Sequence, residues 1–217
     1  ITLEHARKAT FNNPFFATGH EKMLDYLKTF FIVGGMPAAV ATYIKHKSYV
    51  KAQQQQMDIL TTLKSDFDKY KTKISPDVIR STFTSVIRQT CEKFNFSDSH
   101  SNISHQQSKA STTLLERARI VHRITGTHGN GIPIGGDINP KQNKFLLLDI
   151  GLYLCEAKLD VSNWILDPGA KFVNRGKMAE MFVALEILKN ASPYDDAKLF
   201  YWHKESKNSN AEVDYVV

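Results

Sequence analysis

Between Ser75 and Asp149 the hydrophobic spacing changes from a helical to an alternating period, and this restricts the fold more than any other feature of the chain. Ser75-Pro76 has the cap-then-proline form of a helix start, with Val78, Ile79, Phe83, Val86 and Ile87 as the buried face. Asn95 to Ser111 is rich in Ser, Asn, Gln and His and reads as a loop or short helix. Thr112 to Ile124 resumes helical spacing through Leu114, Leu115, Ala118 and Val121, passing into a strand around Ile120 to Thr125. A glycine- and asparagine-rich excursion, Thr127 to Asn143, leads to the apolar strand Phe145–Asp149.

Helix, short helix, helix, then two strands with a long polar tip is the order of a winged-helix unit. Such a unit can bind duplex DNA or dock another protein. The residues before it read as helical. Met23, Leu24, Leu27, Phe30 and Phe31 fall on one face of a helix over His20 to Ile32. Gly34-Gly35-Met36-Pro37 breaks that helix, and Ala38 to Ile44 starts another. Lys51 to Tyr70 is longer, with Met57, Ile59, Leu60, Leu63, Phe67 and Tyr70 expected inward and a polar Gln53–Gln56 tract.

The remainder changes character. Asp167-Pro168-Gly169 is a turn, Arg175 to Asn190 a strong helix, and Leu199–His203 and Ala211–Val217 two strands joined by a polar turn over Glu205 to Asn210. Alternation places Val213, Tyr215 and Val217 on one face and Glu212, Asp214 and Val216 on the other. A carboxylate inside an apolar strand needs a reason, because aspartate is depleted there. Glu180 shares a helical stripe with Val183, Ala184 and Ile187 and is expected to turn inward, whereas Glu186, near Lys189 and Asn190, should be wet. If Glu180 faces Asp214, the two carboxylates could hold a hard divalent ion. The competing expectation pairs Glu180 with Arg175 or Lys177 and leaves Asp214 at a strand end.

Other chemistries find little support. Gly169 to Met178 superficially resembles a phosphate-binding loop, but its glycines are seven apart and Met178 stands where a hydroxyl is required. Gly129, Gly131, Gly135 and Gly136 lack a following lysine–hydroxyl pair. His100, His105, His122, His128 and His203 lack the tight paired spacing of zinc ligands, and no Gly-x-Ser-x-Gly elbow is present. Cys91 and Cys155 lie far apart, which argues for thiols in a reducing cytoplasm. No apolar run approaches the roughly 20 residues that span a bilayer, so no membrane partner is expected. A net charge of +6, spread along 217 residues, favours an anionic partner only weakly. The opening at Ile1 rather than Met points to a fragment.

Five segments carry a family resemblance. Gly34-Gly35-Met36-Pro37-Ala-Ala-Val40 resembles a Gly-Gly-Met-Pro-Glu-Ala-Val signature, and Lys93-Phe94-Asn-Phe96-Ser97 a Lys-Phe-x-Tyr-Ser segment. Leu148-Asp149-Ile-Gly151-Leu152 is similar to Leu-Asp-Thr-Gly-Leu, and Gly176–Glu186 to a Gly-x-x-Phe-Glu-Asn-Phe-Val-Ala-x-Glu helix. Tyr201-Trp202 with Glu212-Val213-Asp214-Tyr215-Val216 resembles a Tyr-Trp … Glu-Val-Asp-Phe-Val end. These belong to bacterial and archaeal AAA-type ATP-binding proteins with a C-terminal domain of unknown function. Ala38, Ala179 and Met181 stand where that pattern has Glu, Phe and Asn.

The resemblance implies an ATPase core in the parent protein, binding ATP and Mg²⁺, with no cofactor in this part. It also implies a restriction-endonuclease-like end in which Glu180 and Asp214 would be catalytic Mg²⁺ ligands, completed by a Glu-x-Lys beyond Val217. The expected fold is therefore α+β and mainly helical: a helical segment over 1–70, a winged-helix-like unit over 71–150 and a partial restriction-endonuclease-like α/β unit over 151–217. The expected role is cytoplasmic recognition or regulation within an AAA-type ATPase. The alternatives are a Mg²⁺-dependent nuclease acting on DNA and an inert protein-interaction module.

Overall fold

A computed structural model of the chain describes residues 7–10, 16–70, 74–98, 103–159, 161, 175–192, 194, 198–206 and 209–217. The fold is α+β and mainly helical, as the spacing predicts. Helices α1 (Ala17–Val33), α2 (Pro37–His46) and α3 (Tyr49–Asp66) come first, followed by a 3₁₀ turn, Phe67–Tyr70. Next come α4 (Pro76–Arg88), a 3₁₀ turn at Phe96–Asp98, α5 (His105–Arg117), and strands β1 (Val121–Thr127) and β2 (Ile138–Leu147). α6 (Ile150–Glu156), α7 (Arg175–Asn190), β3 (Phe200–Ser206) and β4 (Ser209–Val216) complete the described elements.

The four strands form one sheet in the order β2-β1-β3-β4. β1 pairs antiparallel with β2, with a bulge at Thr125/Gly126, and parallel with β3, while β3 and β4 are antiparallel. One sheet thus draws strands from both sides of the boundary expected near residue 150.

Several local expectations change. The capping box of Ser104 and Gln107 starts α5 inside the stretch read as a loop or short helix, and that helix runs on unbroken through the one expected from Thr112. β2 begins at Ile138, inside the presumed excursion, because its polar first half is exposed. Met57 is 59% exposed, whereas Leu60 and Phe67 are buried as expected and Ala52 and Gln56 join the inward face of α3. Met23 and Leu24 are also exposed, and the α1 core contact is made by its C-terminal half, with Phe31 to Val33 buried and Leu27 and Phe30 packed against the core. The turn expected at Asp167-Pro168-Gly169 lies outside the described residues.

The core joins α4, the hairpin and α7. Phe94, Phe96 and Phe145 pack edge to face, Phe94 at 5.0 Å from each of the others. Phe182 of α7 meets Phe31 at 5.4 Å and Phe30 at 5.9 Å. Two sequence-distant motifs also meet. Buried Asp149 caps α6 by accepting from Leu152 N at 3.0 Å, and its other oxygen accepts from Gly35 N at 2.7 Å. Gly34 takes φ +71°, and a Cβ there would lie 2.2 Å from Asp149 Oδ1. Gln56 donates to the Ile32 and Val33 carbonyls, satisfying the end of α1.

Candidate functional site

The site is centred on Lys144, near the middle of β2. Asn143 to Leu147 are all buried, so both faces of that half-strand are covered. Alternation sends Lys144 and Leu146 to the face opposite Phe145 and Leu147. There the Lys144 ammonium, on a side chain 4% exposed, bonds Glu180 Oε1 of α7 at 3.0 Å and Glu212 Oε1 of β4 at 2.5 Å. Asp214 Oδ1 stands 3.9 Å away, and the Tyr201 ring centroid of β3 lies 5.1 Å from the ammonium.

The two predicted carboxylates therefore converge, and on one cation. Asp214 and Glu212 sit two apart on the same face of β4, as alternation requires. Glu180 is not on the buried stripe itself. Met178, Met181, Ala184 and Leu185 form that stripe and Val183 is 46% exposed, which leaves Glu180 at the helix edge, aimed at β2. Its partner is Lys144 rather than Lys177, which pairs with Glu92; the Arg175 side chain lies outside what the structure describes. Glu186 pairs with Lys189 at 3.0 Å on the wet side. The Tyr215 hydroxyl donates to the Glu180 carbonyl at 2.9 Å and ties β4 to α7.

Burial pushes the Glu180 carboxyl above its ordinary value; Lys144 pulls it back, and Asp214 and Glu212 push it up again. For Lys144, burial disfavours the charged form, but the bonds and charges of Glu212 and Glu180 outweigh it, and the net shift is upward. The ammonium is therefore charged throughout the physiological range. Buried Cys91 borders the same cleft, of about 260 Å³, with Lys93 and His203. Burial first and the Glu180 charge next push the Cys91 thiol upward, and its Sγ contacts the Lys177 carbonyl at 3.5 Å. A protonated thiol is a poor nucleophile.

Three carboxylates around one point suit a hard divalent cation, but that point is held by an ammonium. Lys144 takes one oxygen each of Glu180 and Glu212, so a cation at that point would have to displace the ammonium. Among the described residues, no group of three or more His, Cys, Asp or Glu is arranged to hold a metal ion. As arranged, the donors do not fit Mg²⁺.

Lys144 and Glu212 escape sequence reasoning as site residues because their pairing is nonlocal. The available signal was a lysine opening a wholly apolar strand half, and a glutamate alternating with Asp214.

A family model for a domain of unknown function, DUF8612, matches residues 24–163, more than half of the chain. The chain belongs to the DUF8612 family. The DUF8612 match takes in the Gly34-Gly35 bend, Lys144 and Asp149, while Glu180, Glu212 and Asp214 lie outside it. No curated protein and no solved structure matches the chain.

Proposed function

We propose that this DUF8612 chain is a non-catalytic recognition or regulatory region of a cytoplasmic AAA-type ATPase, its acidic cleft serving as a charge network that fixes α7 and β4 on the sheet. The observation that carries the non-catalytic part is the Lys144 ammonium seated among Glu180, Glu212 and Asp214. The ATPase connection rests on the five resembling segments, two of which, around Gly34 and Asp149, are bonded to each other. Two free cysteines fit a reducing compartment. No single helix among the described residues is long and apolar enough to cross a membrane; α1 and α2, bent by 119° where they join, reach that length and apolarity only together.

The test has two parts. Calorimetric titration of the chain with Mn²⁺ and incubation with supercoiled plasmid in Mg²⁺ are expected to give no saturable binding and no nicking. Nicking that disappears in Glu180→Gln would overturn the non-catalytic reading in favour of the Mg²⁺-dependent nuclease. For the parent, the codons upstream of Ile1 are expected to encode a Gly-x₄-Gly-Lys-Ser/Thr loop, and their lack of one would remove the ATPase connection.

A further inference from the structure

The corner where α2 meets α3 is not used by the Lys144 cleft and carries a distinct charge pattern. From Tyr26 to Met57 the sequence holds Lys28, Lys45, Lys47 and Lys51 and no Asp or Glu. Lys28 pairs with Asp25 on α1, so the other three lysines form the local field. They are exposed, with His46 between them. Lys47 takes the left-handed conformation that ends α2, φ 50°, and its ammonium lies 5.8 Å from the Tyr43 ring centroid. Lys51, in the first turn of α3, approaches His46 Nδ1 at 3.2 Å.

No carboxylate separates these groups. Among the described residues none of Lys45, Lys47 and Lys51 pairs with an acid, and the first acid on α3 is Asp58, two turns past Lys51. Desolvation first, then the charges of Lys51 and Lys45, hold the His46 imidazole below its ordinary value. The first amides of α3 add their partial charge to that field. Gathering like charges without compensation costs stability unless an anion arrives to share them.

We infer that the α2–α3 corner, through Lys45, Lys47 and Lys51, binds the phosphate backbone of a nucleic acid. Ile44 and Val50 are exposed beside it, which on its own also suits a bilayer surface. The next turn of α3 decides between them. Gln54 is exposed there, between exposed Val50 and Met57, so the row is interrupted by an amide where an interfacial helix needs a continuous apolar strip, and that amide can donate to a phosphate oxygen. The contacts carry no base readout, so sequence preference should be weak. This inference is independent of the role proposed for the Lys144 cleft.

The experiment is fluorescence anisotropy with a duplex DNA oligonucleotide across a salt series, on the full chain and two triple variants. Lys45→Ala/Lys47→Ala/Lys51→Ala is expected to lose tenfold or more in affinity. Its log–log salt slope should fall by about 3, one per phosphate contact removed. Lys22→Ala/Lys109→Ala/Lys141→Ala, which removes the same charge at other exposed positions, should keep the original slope. Circular dichroism must show both variants folded as the parent. Equal losses in the two variants, no binding by the parent, or binding to anionic phospholipid vesicles without binding to the oligonucleotide would each overturn the inference.

Discussion

At the residue scale the molecule turns on a charge placed where burial alone would forbid it. Lys144 is tolerated because Glu180 and Glu212 close on it, and removal of the ammonium leaves two carboxylates facing each other. Lys144→Met is expected to cost about 2–3 kcal/mol at neutral pH, less than a fully buried pair because Glu180 and Glu212 keep partial access to water. The folded-state pKa of Lys144 lies above its ordinary 10.5. A raised basic group contributes fully below its unfolded value, and that contribution disappears as pH climbs through the folded value. Urea unfolding of the parent and Lys144→Met should therefore differ by a constant amount from pH 6 to about 9 and converge in the alkaline range. A gap that stays constant beyond that range would mean that the lysine acts by packing and not by charge. Neither Lys144 nor Glu212 could be picked out from spacing, because a strand pattern specifies a face but not which strand lies across it.

At the element scale the clearest device joins the α1–α2 bend to the start of α6. Asp149 spends one oxygen on its own helix and the other on Gly35, so the bend and the end of the hairpin hold one geometry. Asp149→Ala removes an N-cap worth about 1 kcal/mol and strands the Gly35 amide, for a total of about 2–4 kcal/mol. Gly34→Ala should cost a comparable amount, because it meets both the positive φ and the 2.2 Å approach to Asp149. Thermal melts of the two single variants and the double check this, since Asp149→Ala also removes the carboxylate that Gly34→Ala would meet and the losses should combine less than additively. Additive losses would separate the two motifs.

Elements of this kind were partly legible in the sequence. The glycine pair, and Pro76 in the first turn of α4, mark boundaries through local backbone chemistry. The start of α5 was hidden because its Ser- and Gln-rich first turns bury small polar residues, Ser108 and Ser111, rather than hydrophobic ones. Met57 and Val183 sit at correct helical spacing but on faces that no other described element covers, a fact that periodicity cannot contain.

At the scale of the whole molecule the sheet decides how the parts depend on one another. β3 lies beside β1 in parallel, so the β1–β2 hairpin is completed by strands from the far end of the chain. Deletion from Tyr194 onward is expected to leave β1 as an open edge and Lys144 without Glu212 and Asp214. Size-exclusion chromatography should then show self-association and circular dichroism a broadened melt; a monomer with the parent's transition would show that the preceding elements stand alone.

The same arrangement bears on synthesis. A chain emerging from the ribosome presents β1, β2 and Lys144 before α7, β3 and β4 exist. For that interval an unpaired strand edge and an uncompensated ammonium face the solvent together. Native closure must await the synthesis of β4, and nascent-chain binding factors that recognise open strand edges have their opportunity in that window.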